Sequence, residues 1–187
     1  MNFHGRILIG MVFQFVDINL NGIDIIPDVI GFLIAVFAFS KVQVPYATMG
    51  MYCAVLLTVQ EFFEIFQPKA QGLSILEPTS LWLQLMMSVM GLLYIVFLAC
   101  IFNVSKELVH AKKSIFPKLF IGMHILTLLL ISVGIHLNIN EVDDYLPIWF
   151  GIYFLFYLYF CGFLWRREYI ELELQKKNKQ PLPSDLL

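Results

Sequence analysis

The polar side chains best suited to binding chemistry are concentrated between residues 16 and 32, where the chain reads VDINLNGIDIIPDVIGF. Three aspartates and two asparagines lie there within an otherwise apolar stretch. A charged side chain at the centre of a bilayer costs about 2.5–3.5 kcal/mol on insertion scales, and such residues mark functional sites. We therefore expect Asp17 to face protein or water, to have a partner, or to be protonated.

A second acidic group lies in the stretch QEFFE at residues 60–64. Glu61 and Glu64 are three residues apart, so they share one face of a helix. If this helix packs on the first two, the carboxylates converge in one outer-leaflet pocket that offers oxygen ligands to a cation or a small polar molecule. The candidate ligand- or ion-binding residues are Asp17, Asn19, Asn21, Asp24, Asp28, Gln60, Glu61 and Glu64. The alternative is a set of separate interfacial carboxylates, each solvated or capping a helix.

The residue types between the first two apolar runs favour a helix, a break and a second helix. Asn19 and Gly22 tolerate the left-handed conformation that ends a helix. Pro27 is accepted in a first helical turn, where it removes no needed donor. Asp28 would lie in the same turn, where the helix dipole favours a carboxylate. Gly31 would then allow close contact with a neighbouring helix.

The apolar runs on either side of this break are short. Residues 7–16 would extend about 15 Å as a helix and residues 29–42 about 21 Å, against a hydrocarbon core of about 30 Å. Two geometries fit these lengths. Either two complete spans include Asp17 and turn near the outer surface, or two half-helices enter from the cytoplasmic side and return, with the turn buried.

The same segment carries a longer pattern, D-x-N-x-x-G-x-D-x-x-P-D-x-x-G-[FY]. It is formed by Asp17, Asn19, Gly22, Asp24, Pro27, Asp28, Gly31 and Phe32. This pattern resembles the amino-terminal signature of a family of small multi-spanning membrane proteins of Firmicutes-type bacteria, which has no assigned activity. The resemblance covers about 16 residues and implies a bacterial plasma membrane.

The composition of the whole chain is that of a membrane protein. Of its 187 residues, 59% are hydrophobic and 14% are charged, whereas about 25% charged residues are usual in soluble domains. The sequence predicts an all-α, polytopic membrane helix bundle with six membrane elements, the first two forming a hairpin broken by glycine and proline. The elements are residues 7–20, 28–42, 46–66, 80–102, 119–137 and 147–165. Residues 1–165 form the predicted transmembrane domain, and residues 166–187 form a cytoplasmic tail.

The basic residues predict the orientation. If both termini are cytoplasmic, Lys69 is the one outer cation among the 12 Lys and Arg residues, as the positive-inside rule requires. We expect the tail to continue the last span as a helix to about Lys177. Its face should be solvated rather than bound to lipid headgroups, because Glu168, Glu171 and Glu173 balance its basic residues.

Several partners are excluded by composition. A net charge of −2 indicates no nucleic-acid partner. The three cysteines are odd in number, lie in apolar runs and form no C-x-x-C motif, so neither a disulfide nor a metal or other cofactor is expected. The expected partners are the lipid bilayer and either another membrane protein or a second copy of this chain.

Two histidines suggest one enzymatic alternative. The stretches FIGMH and HLNIN, which contain His124 and His136, resemble elements of CAAX-type intramembrane proteases, in which histidines and a paired glutamate hold a metal. The arginine of that family's glutamate motif is absent here. The two histidines also share one predicted helix, where a separation of twelve residues turns the rings about 120° apart. We assign no catalytic residue.

Three functions follow from these features. The first is a non-enzymatic membrane protein whose outer-leaflet polar corner binds a small ligand, an ion or a partner subunit. The second is a transporter that uses Asp17, Glu61 and Glu64 for cation or proton coupling. The third is an intramembrane metal-dependent hydrolase that uses Glu61, Glu64, His124 and His136.

Overall fold

The chain is all-α, as the sequence predicts. The computed structural model describes residues 2–15, 19–20, 23–24, 27–65, 81–109, 115–137 and 142–179. Within these ranges there are six helices and one two-stranded ladder. The elements are α1 (Phe3–Phe15), β1 (Asn19–Leu20), β2 (Ile23–Asp24), α2 (Pro27–Ser40), α3 (Ala47–Ile65), α4 (Leu81–Val109), α5 (Phe116–Leu137) and α6 (Val142–Lys179).

Helices α1 and α2 form an antiparallel hairpin with almost direct backbone contact. A Cβ atom on Gly10 would lie 2.7 Å from the carbonyl oxygen of Gly31, and a Cβ on Gly31 would lie 2.5 Å from that of Gly10. Only glycine permits this approach, so the close contact predicted at Gly31 is confirmed. Between the helices, β1 and β2 pair antiparallel, with Asn19 opposite Asp24.

The helix boundaries differ from the predicted ones where contacts between distant parts of the chain decide them. Helix α4 continues to Val109, beyond the predicted end at residue 102, because Val104 and Ser105 are buried against neighbouring helices. Helix α6 has 38 residues, roughly 57 Å at 1.5 Å per residue. It therefore combines the predicted last span with most of the predicted tail.

Aromatic rings fill the core between α4, α5 and α6. Phe102 lies among the rings of Phe120, Phe160 and Phe163, with centroid distances of 5.9, 5.3 and 5.6 Å. Phe39 of α2 contacts Phe97 of α4 at 6.0 Å. These contacts fix the relative positions of the helices at the end of the bundle where α1 begins and α4 ends.

The outer surface of the bundle is strongly apolar. Phe37 is 59% exposed, Tyr52 61%, Leu155 65% and Trp165 71%. Exposed large apolar side chains occur on each of the six described helices. Within the described residues, one helical segment, Ser88–Val109, is long and apolar enough to cross a membrane, and 39% of its apolar window is buried inside the protein.

Candidate functional site

The predicted acidic corner lies at the end of the bundle where α2 begins and α3 ends. Asp28 occupies the first turn of α2 and is half-buried. Phe39 packs over Gly50, and in an antiparallel pair this register brings Asp28 level with Glu61. Gln60 and Glu61 are half-buried on α3. The structure thus brings Asp28 and Glu61 to one level of adjacent helices.

The structure describes only part of each of the other predicted site residues, or none of it. Asn19 and Asp24 are paired in the ladder between α1 and α2, and Glu64 lies in the last turn of α3. The side chains of these three residues, and all of Asp17 and Asn21, lie outside the described residues. The convergence of five carboxylates therefore stays a prediction.

Tyrosines from two other helices extend the polar region around Asp28 into the bundle. Tyr94 of α4 and Tyr157 of α6 lie within the electrostatic range of the Asp28 carboxylate. The Tyr157 hydroxyl donates a hydrogen bond of 2.5 Å to the carbonyl oxygen of Met11. Neither tyrosine could be recognised from the sequence, because each lies in an apolar helix where an aromatic residue is ordinary packing.

Gln14 of α1 adds a polar group at the same level. Its Cγ atom lies over Gly31, 2.7 Å from where a Cβ would stand. Its amide nitrogen is buried and meets no hydrogen-bond acceptor among the residues that the structure describes. An unsatisfied buried donor costs about 1–3 kcal/mol, so this nitrogen is a candidate contact for a ligand. The signal in the sequence was a lone glutamine within an apolar run.

His124 is engaged in a structural contact. Its Nδ1 lies 2.9 Å from the carbonyl oxygen of Phe120, and its Nε2 lies 2.7 Å from the hydroxyl of Tyr153. A carbonyl only accepts, so Nδ1 donates and Nε2 accepts from Tyr153. Both nitrogens of the neutral ring are occupied, which leaves none to bind a metal as the hydrolase hypothesis requires. The His136 side chain lies outside the described residues.

A second polar cluster closes the opposite end of the bundle, which we name the basic end for Arg6, Lys41, Lys106, Lys118 and Arg167. His4 of α1 is fully buried. Its Nδ1 donates to Glu171 Oε2 at 2.7 Å, and its Nε2 lies 2.8 Å from Ser105 Oγ. Glu168 Oε2 accepts a 2.8 Å hydrogen bond from the backbone N–H of Gly5. Glu168 and Glu171, expected on a solvated face, instead bind the first turn of α1.

This cluster resembles two kinds of site, but its contacts are structural. The ligand atoms of His4, Glu168 and Glu171 lie within 4.8 Å of one another, close enough to hold a metal ion. However, these carboxylates already accept hydrogen bonds from α1. The order Ser–His–Glu is that of a hydrolase triad, yet Ser105 is 1% exposed although it borders the neighbouring cavity. We interpret the cluster as a tie between α1, α4 and α6.

A cavity of about 800 Å³ lies beside this cluster, between α4, α5 and α6. Lys106, Lys118 and Arg167 contribute its charged part. The guanidinium carbon of Arg167 lies 4.9 Å from the centroid of the Phe163 ring. Burial lowers the pKa of Arg167 from its ordinary value, and the positive charge of Arg166 lowers this pKa further. An anion near Arg167 would offset both effects.

Comparison with known proteins leaves both sites to be judged on their geometry. A scan against protein-family models finds no match, and the chain matches neither a curated protein nor a solved structure.

Proposed function

We propose that this chain is an integral membrane protein of a bacterial plasma membrane that binds a small cation beside Asp28. One observation carries the proposal. Asp28, a half-buried carboxylate in the first turn of an apolar helix, lies level with the half-buried Gln60 and Glu61 of the adjacent helix α3. Ionisable groups that face the interior of a membrane bundle mark ion or proton sites.

The oxygen-rich chemistry of this region favours a hard cation. Asp28 and Glu61 supply carboxylates, and Gln60 supplies an amide oxygen, at one level of α2 and α3. Oxygen ligands are those that alkali and alkaline-earth cations prefer. Carboxylates inside membrane bundles form ion pathways and proton relays, so we expect Na⁺ or a proton. Asn19, Asp24 and Asp17 precede this site in the chain and would contribute further oxygens.

The membrane topology belongs to the same proposal. With six membrane elements and two cytoplasmic termini, the cations clustered at the basic end would lie on the cytoplasmic side, as the positive-inside rule requires. Arg6 and Lys41 lie near the Phe37 ring, with cation-to-centroid distances of 5.9 and 5.2 Å, and Lys106, Lys118 and Arg167 share the cavity. The exposed apolar surface along the helices would face lipid. The partners would be the bilayer and either another membrane protein or a second copy.

Cation binding can be tested on the purified chain in lipid nanodiscs. We expect Na⁺ to raise the melting temperature relative to choline, because a ligand that binds only the folded state stabilises it. A fall in pH should produce the same rise if the proton is the ligand. Asp28→Asn should abolish the response, while the exposed Glu107→Gln should retain it. Identical responses of the wild type and Asp28→Asn would overturn the proposal.

Coupled transport is the second candidate, favoured by the shortness of the first hairpin. Helices α1 and α2 have 13 and 14 residues, about 20 Å each, and transporters build substrate sites from such half-length helices. Proteoliposomes with an imposed Na⁺ or pH gradient should then accumulate radiolabelled Na⁺ or acidify, and Asp28→Asn should not. Cation binding without any flux would exclude transport and retain the binding function.

A further inference from the structure

We propose that the cavity at the basic end binds an anionic phospholipid, with the phosphate between Lys106, Lys118 and Arg167 and an acyl chain along its apolar wall. The site lies at the opposite end of the bundle from Asp28 and does not depend on cation binding there. Its volume of about 800 Å³ is within the range of 300–1,000 Å³ that ligand pockets occupy.

The charged side chains that line the cavity favour an anionic ligand. Its three cations come from three different helices, and no acidic side chain is among the described residues that line it. The nearest acidic residues of α6 are directed elsewhere, since Glu168 binds the backbone of Gly5 and Glu171 binds His4. Two of the three tail glutamates that were expected to balance the basic residues, Glu168 and Glu171, are therefore occupied by α1.

Arg167 is the cation best placed to hold a phosphate. Its guanidinium lies over the Phe163 ring, at 4.9 Å from the centroid, which limits its motion before a ligand arrives. A planar guanidinium can also donate two parallel hydrogen bonds to phosphate oxygens. Partial burial removes part of its water shell, so an anion at this position meets a cation that is less well solvated than a surface lysine.

The cavity wall is charged at the basic end of the bundle and becomes apolar further from that end along α4 and α5. On α5, Lys118 is followed on the same face by Gly122 and Ile125, each about one turn further from the basic end. On α4, Lys106 and Ala99 lie on one face, two turns apart. A free phosphate would use only the charged part. An amphiphile with a phosphate and an acyl chain would use both.

The depth of the cavity is that of a lipid headgroup. Lys106 lies three residues before the end of the segment Ser88–Val109, the one described segment that can cross a membrane. Cations at the ends of spans lie at headgroup level, and basic pockets between helices on the cytoplasmic side bind anionic headgroups. The apolar wall then faces the hydrocarbon region.

Native mass spectrometry of the delipidated protein in detergent would test the site. We expect phosphatidylglycerol to bind at least tenfold more tightly than phosphatidylcholine, which carries no net charge. The double variant Lys118→Gln/Arg167→Gln should lose at least tenfold of this affinity. The charge-matched control Lys41→Gln/Arg166→Gln, at the same end but outside the cavity, should retain it. Equal affinity for the two lipids, or equal losses in the two double variants, would overturn the proposal.

A steric variant separates the cavity from a general charge effect. A Cβ at Gly122 would meet no heavy atom within 4 Å, so Gly122→Phe should fill the cavity without unfolding the helix. It should reduce phosphatidylglycerol binding at least tenfold with all cations present. Gly162→Phe is the matched control, because Gly162 is equally open but lies outside the cavity. Unchanged binding to Gly122→Phe, or displacement of the lipid by an equal concentration of inorganic phosphate, would contradict a lipid site.

Discussion

The imidazole Nδ1 of His4 and the carboxylate Oε2 of Glu171 lie 2.7 Å apart, although 167 positions separate the two residues. His4 is fully buried, and its other nitrogen contacts Ser105 of α4. A single side chain thus connects three helices at the basic end. Beside this contact, Glu168 accepts hydrogen bonds from the backbone N–H groups of Asn2 and Gly5, so α6 also supplies acceptors that the first turn of a helix lacks.

The His4–Glu171 pair should contribute measurably to stability. Glu171→Ala would leave the Nδ1–H of His4 buried without an acceptor, at a cost of about 1–3 kcal/mol. Chemical unfolding in a mild detergent should register this loss. Glu107→Ala, an exposed carboxylate of α4, is the control and should change stability little. Equal effects of the two substitutions would show that the pair is not a stabilising tie.

Tyr157 should hold α6 against α1. Its hydroxyl donates to the carbonyl oxygen of Met11, and Tyr157→Phe removes this bond while keeping the ring. We expect a loss of about 1 kcal/mol in the free energy of unfolding, measured in the same way. Tyr159→Phe, at a position that is 63% exposed, should have no comparable effect. If Tyr157→Phe left the free energy of unfolding unchanged, the hydrogen bond to the Met11 carbonyl would not stabilise the protein.

Replacing glycine by alanine should lower the stability of the protein at one position and raise it at another. Gly31→Ala places a methyl group 2.5 Å from the carbonyl oxygen of Gly10, and such overpacking costs about 1–3 kcal/mol. Gly162→Ala meets no atom within 4 Å, so the higher helix propensity of alanine should stabilise the protein by up to about 1 kcal/mol. The melting temperatures of the two variants should fall on either side of the wild type. A tolerated Gly31→Ala would contradict the close packing of α1 and α2.

Reporter fusions should test the topology. Green fluorescent protein fused after Lys179 should fluoresce and alkaline phosphatase there should be inactive, because the positive-inside rule predicts a cytoplasmic carboxyl end. Fusions after Gln67, between α3 and α4 in sequence, should give the reverse pattern. Active alkaline phosphatase after Lys179 would invert the orientation, and the same pattern at both sites would contradict the three crossings predicted between them.

The sequence predicts the helices because their signals are local. Long apolar runs, a proline at the start of α2 and a glycine at the contact of α1 with α2 each act within a few residues. Gly31 was predicted to lie in a helix contact on these grounds, and the contact is present. The all-α class follows from the same signals.

The polar contacts could not be predicted because their partners are distant in sequence. Nothing near Glu171 indicates that His4 is its partner, and its own helix resembles a solvated surface helix. The partner of Tyr157 could not be predicted for the same reason. Its helix is aromatic on all sides, and which residue faces Met11 depends on how α6 packs. The acidic corner was identified from Asp28 and its neighbours, but Gln14, Tyr94 and Tyr157 required the arrangement of four helices.

The contact between the first turn of α1 and the far part of α6 also sets an order of events during synthesis. The N–H of Gly5 and its acceptor Glu168 are 163 positions apart. A ribosome that adds about 5–20 residues per second needs on the order of ten to thirty seconds to cover that distance. For that interval the earliest helix lacks its final neighbours, so its last packing step waits until α6 has been synthesised.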